Sequence, residues 1–69
     1  MRDKNRIKPF LESIASLWEQ NPDLRFGQLV SNVYSFGGID DPFYIEDDYT
    51  LKLIESYKVR MSYFYGTND

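Results

Sequence analysis

The chain has 69 residues, no cysteine, no histidine and a formal net charge of −3. That length allows one domain, and the missing residue types exclude disulfides, thiolate metal sites and the commonest metal ligand and general base. With 42% hydrophobic, 17% aromatic and 28% charged residues, the composition is that of a globular domain whose rings supply much of the core.

The charge is laid out unevenly. Arg2, Lys4, Arg6 and Lys8 face only Asp3 at the amino terminus, whereas Asp40, Asp41, Glu46, Asp47 and Asp48 have no basic residue among them. The basic start has no apolar segment behind it, so it does not read as a secretory signal. No apolar run approaches the roughly 18–20 residues of a membrane span. A cytoplasmic protein is the expectation.

Ile7, Phe10, Leu11, Ile14, Leu17 and Trp18 recur at helical spacing and predict an amphipathic helix over about 6–20. Asn5 is a candidate N-cap, and Pro9 must lie in the first turn or bend the helix. Asn21-Pro22 stops it, because the residue before a proline is pushed out of the α region. Asp23 is a plausible cap for a second helix over about 24–36, with Phe26, Leu29, Val30, Val33 and Tyr34 on one side. The other side carries Gln28, Ser31, Asn32 and Ser35, and no charge occurs from Phe26 to Ile39. Gly37-Gly38 closes this helix and Asp40-Asp41-Pro42 continues the turn.

Glu46-Asp47-Asp48 favours a third helix start by complementing the helix dipole. Tyr49, Leu53, Ile54, Tyr57 and Met61 form its stripe over about 48–60, with Lys52, Glu55, Lys58 and Ser62 facing away. Residues 61–69 read as a tail. Val59, Met61, Tyr63 and Tyr65 alternate as in a strand, so a short two-stranded element between 43–45 and 59–65 is compatible with the pattern. The fold class is mostly α, a small three-helix domain with one apolar centre.

Pro22-Asp23-Leu24-Arg25-Phe26-Gly27-Gln28-Leu29, followed by Phe43-Tyr44-Ile45-Glu46-Asp47-Asp48, resembles a family of small proteins of bacteria and their phages without an established activity. Its members start Met-Arg-Asp and have a first helix ending in Trp. The resemblance covers about residues 1–57; Pro9 and the aromatic tail from Lys58 onward depart from it. It implies a source and a helical fold, and no mechanism.

The candidate chemistry is sparse. The acids of 40–48 lack the alternating ligands and central glycine of a calcium loop. Phe36-Gly37-Gly38-Ile39 lacks the lysine and spacing of a phosphate loop. Neither a nucleophile beside a base nor a cofactor motif is visible, so a non-enzyme without cofactor or metal is expected. Arg25 suits a partner carboxylate or phosphate; equally, it can pair with an acid of 40–48 and lock the third helix to the second.

Gln28 and Asn32, four residues apart, could read base edges, although an acidic turn follows them and would repel a phosphate backbone. Equally, their helix could lie packed between the other two with little exposed face. Tyr63 and Tyr65 could contact a partner, as tyrosines do in interface hot spots. The partner-binding candidates are therefore Arg25, Gln28, Asn32, Asp40, Asp41, Glu46, Tyr63 and Tyr65. The expected function is a protein-binding module. Its sharpest form is a phage or prophage inhibitor or adaptor whose acids occupy a basic site of a host nucleic-acid-binding protein. A helix-turn-helix-like nucleic-acid-binding protein and a structural homo-oligomer, such as a homodimer, are the alternatives.

Overall fold

The computed structural model describes the backbone of residues 2–65 and the side chains of residues 2–62. Three helices carry the fold: α1 over Ile7–Gln20, α2 over Phe26–Phe36 and α3 over Asp47–Tyr65. Two single 3-10 turns, Lys4–Arg6 and Pro42–Tyr44, precede α1 and α3.

Each boundary has a local cause. The 3-10 turn is capped by Asp3, whose carboxylate accepts from the Asn5 backbone N–H at 3.0 Å, and Arg6 rather than Asn5 stands at the N-cap of α1, without a side-chain cap bond. Pro9 is the third residue of α1, where a missing N–H is tolerated. At the other end the Asn21 side chain donates to the Leu17 carbonyl at 3.2 Å. The helix α2 starts two residues later than expected. Pro22 and Asp23 are spent in a turn, and Arg25, in extended conformation, takes the N-cap position in place of Asp23. Half of a capping box forms there: Gln28 Oε1 accepts from the Arg25 backbone N–H at 2.8 Å. The reciprocal half is impossible, since a guanidinium has no acceptor.

The end of α2 is a Schellman turn. Gly38 lies at φ 73°, the left-handed region that disfavours a side chain. The Ile39 N–H donates to the Tyr34 carbonyl and the Gly38 N–H to the Ser35 carbonyl, both at 2.9 Å. Gly37 is needed for space: a Cβ there would lie 2.8 Å from Leu53 Cδ2.

Both α1 and α2 pack on α3, and they touch each other less. Arg6 meets Asp47, and ten residues further along α1 Ser16 meets Lys58, so α1 and α3 run parallel. Leu24 borders Tyr57 and Met61 while Tyr34 bonds Thr50, so α2 runs the opposite way. The core is Leu17 from α1, Leu29 and Val33 from α2, and Leu53, Ile54 and Tyr57 from α3. Full burial of a leucine such as Leu17 or Leu29 stabilises by about 1.5–3 kcal/mol. Thr50, also buried, takes the inward position expected of Tyr49, which is nearly half exposed. Its hydroxyl and that of Tyr34 satisfy each other at 2.8 Å.

The two-stranded element is absent among the described residues. Residues 59–65 continue α3, and residues 42–44 form a 3-10 turn. Pro42 has no N–H for a ladder, and the Asp41 carboxylate bends the chain by accepting from the Phe43 N–H at 3.1 Å. On the helix side, Tyr57 and Met61 keep the four-residue spacing against the core. The Arg60 guanidinium lies 5.6 Å from the Phe36 ring centre. Lys58 donates to Ser16 at 3.1 Å rather than pairing with Glu55, so this part of α3 is tied to both other helices.

The three glycines among the described residues predict substitutions of opposite sign. Gly37→Ala drives a methyl group into Leu53 and should destabilise by about 1–3 kcal/mol. Gly38→Ala loses about 1 kcal/mol through its backbone conformation alone. Gly27→Ala, inside α2 with nothing within 4 Å, should stabilise by about 0.5 kcal/mol. Urea denaturation followed by circular dichroism measures all three.

Candidate functional site

The sites expected from sequence are dispersed. Arg25 is exposed at the start of α2, and among the described residues its guanidinium has no carboxylate partner. The expected bridge from Arg25 to the acids of 40–48 does not form. Those acids follow the α2 C-terminus, and Arg25 stands at its N-terminus. Gln28 is exposed and spends its carbonyl on capping its own helix. Asn32 borders a shallow depression with Asn21, Leu24, Tyr57 and Met61. Gly27, Gln28, Ser31, Asn32 and Ser35 are all exposed, so α2 is not sandwiched between two helices. Its Leu29, Val33, Tyr34 and Phe36 meet the core. Tyr63 and Tyr65 belong to α3 by their backbone; their side chains lie outside the described residues.

The acidic segment meets the basic amino terminus. Arg2 bonds Glu46 at 2.6 Å and Arg6 bonds Asp47 at 2.8 Å. The parallel run of α1 and α3 causes this, because it sets both helix starts side by side. Arg2, Asp3, Arg6, Glu46, Asp47 and Asp48 line one shallow recess, where two bases stand among four acids. Two of the five acids of 40–48 are therefore neutralised within the molecule. Asp40, Asp41 and Asp48 remain exposed without an ion pair among the described residues. No group of three or more carboxylates converges as a metal site among the described residues.

One feature that the sequence pattern does not by itself disclose is apolar. Between α1 and α2 runs an open trough of about 240 Å³, walled by Phe10 and Ile14 on one side and Phe26 and Val30 on the other. Its floor reaches Thr50 and Ile54 of α3. The helices meet at their connected end: the Trp18 indole donates to the Leu24 carbonyl at 2.9 Å, and its ring lies 5.5 Å from that of Phe26. Ile7 (45%), Leu11 (53%) and Phe26 (52%) remain about half exposed. The signal was present in the α1 stripe. Six apolar residues span more of the helix than a single neighbour covers, and only Leu17 is fully enclosed.

The trough contains two polar side chains, Tyr34 and Thr50, and their hydroxyls are bonded to each other. One O–H of that pair stays uncommitted, and the rest of the lining is almost wholly apolar. Among the described residues no helix is long and apolar enough to cross a membrane. No family model, curated protein or solved structure matches the chain, so the resemblance over residues 1–57 gains no support from them.

The ion pairs are partly exposed, with side chains 40–63% accessible, and solvent screens them. A double-mutant cycle on Arg6→Ala and Asp47→Ala should give a coupling of about 0.2–1 kcal/mol, decreasing as salt is added. A coupling that ignores salt would contradict the screened geometry.

Proposed function

We propose that this chain is a non-catalytic protein-binding module that uses the apolar face between α1 and α2. The observation that carries this reading is a mostly apolar trough with the half-exposed Phe26 in its wall, on a domain whose first helix also leaves Ile7 and Leu11 about half exposed. Small-molecule sites usually enclose about 300–1,000 Å³ with a few convergent polar groups. A trough of about 240 Å³, open and apolar, suits one or two side chains of a partner. The helix α2 has no charged residue, and depletion of charge is what marks interface cores.

The inhibitor or adaptor form keeps three acids, Asp40, Asp41 and Asp48, for a basic partner, since Glu46 and Asp47 are engaged by Arg2 and Arg6. Recognition of nucleic acid through α2 is disfavoured, because that helix has no lysine or arginine and Arg2 and Arg6 of the basic start are engaged by acids.

The test compares the wild-type chain with a Leu11→Glu/Phe26→Ser variant. Both positions are half exposed, so the variant should remain helical. Immobilised wild-type protein should retain one dominant protein from a lysate of its source cells, and the variant should lose it. Equal recovery by both chains would refute the reading. Self-association of the wild type in sedimentation, abolished by the same variant, would assign the face to a second copy instead.

A further inference from the structure

A separate surface stands at the 3-10 turn between α2 and α3. Phe43 is 76% exposed and Tyr44 85%, the two most exposed large apolar side chains among the described residues. Their ring centres are 4.7 Å apart at an interplanar angle of 86°, an edge-to-face pair. The backbone beneath them is fixed from three sides. Pro42 sets its own φ, the Asp41 carboxylate holds the Phe43 N–H, and the Ile45 N–H donates to the Pro42 carbonyl at 2.9 Å. The pair is thus presented to solvent in a set geometry, with little left to order on binding.

The chain that leads into the turn is acidic, whereas just beyond it Glu46 is already paired with Arg2. Asp40 and Asp41 immediately precede the turn, both exposed and without an ion pair among the described residues. The sequence has no lysine or arginine between Arg25 and Lys52. Aromatic faces attract cations, arginine most readily because its plane can stack on a ring while its N–H groups reach carboxylates. The molecule already contains such a contact, Arg60 over Phe36.

We propose that Phe43 and Tyr44, with Asp40 and Asp41 beside them, form a docking knuckle for an arginine-bearing segment of a partner protein. The guanidinium stacks on the ring pair and donates to the aspartates. Anionic partners, nucleic acid and acidic lipid included, are repelled by the same carboxylates.

The test is selection of a random-peptide display library on the immobilised full chain. Binding of the enriched peptides is then measured to wild type, to Phe43→Ala/Tyr44→Ala and to Asp40→Asn/Asp41→Asn. Asparagine retains the capping acceptor and removes only the charge. The rings touch no core residue, so the thermal transition of the alanine variant should match that of wild type. Peptides enriched in arginine, bound about tenfold more weakly by each variant and weakened by salt, are the expected result. A library that yields no binder, binders without arginine, or binders indifferent to the alanine variant would overturn the proposal. Binders lost instead in Leu11→Glu/Phe26→Ser would also overturn it, and would leave the trough as the contact surface.

Discussion

Helix α3 is the one surface on which the rest of the molecule rests. Leu17 of α1 and Leu29 and Val33 of α2 find their apolar neighbours in Leu53, Ile54 and Tyr57. Among the described residues, the buried side chains of α3, Thr50, Leu53, Ile54 and Tyr57, follow helical spacing, and Gly37 lets the end of α2 approach Leu53 at a distance no side chain would permit. Below about 70–80 residues a single core supplies only about 3–5 kcal/mol. Every contact with α3 therefore weighs heavily, and the fold has little stability to lose elsewhere.

That constraint leads to the open apolar face. Here the two helices that pack on α3 do not cover each other along their full length. They join at the Trp18 end, where an indole hydrogen bond and a ring contact fasten the connecting loop. Further along, Ile7 and Leu11 are left about half exposed. The same parallel arrangement of α1 and α3 brings the basic start beside the acidic start of α3. It turns an apparent charge separation along the sequence into two local ion pairs. A contact made through the face between α1 and α2 would therefore rest more on apolar area than on charge.

Much of the fold was legible because helix periodicity and stop signals are local. The stripe of α1, the break at Asn21-Pro22 and the close at Gly37-Gly38 all appear where the residue pattern puts them. The capping residues were displaced by one and two positions, since Arg6 and Arg25 are chosen by turn geometry that neighbouring residues share with Asn5 and Asp23. The alternation from Val59 to Tyr65 was misleading: tertiary ties from Lys58 and Arg60 to Ser16 and Phe36 outweigh strand preference. The candidate surface was far less legible. Which apolar residues stay uncovered depends on how α1 and α2 sit on α3, and whether acids are free depends on which bases the fold brings to them. Neither is a property of spacing.

Methyl NMR of the full chain with a soluble paramagnetic probe addresses the central claim, that α1 carries one enclosed leucine and an uncovered rim. Strong line broadening at Ile7 and Leu11, with Leu17 and Leu29 unaffected, is the predicted outcome. Protection of Ile7 and Leu11 equal to that of Leu17 in the dilute monomer would contradict it, because the chain would then cover its own apolar face.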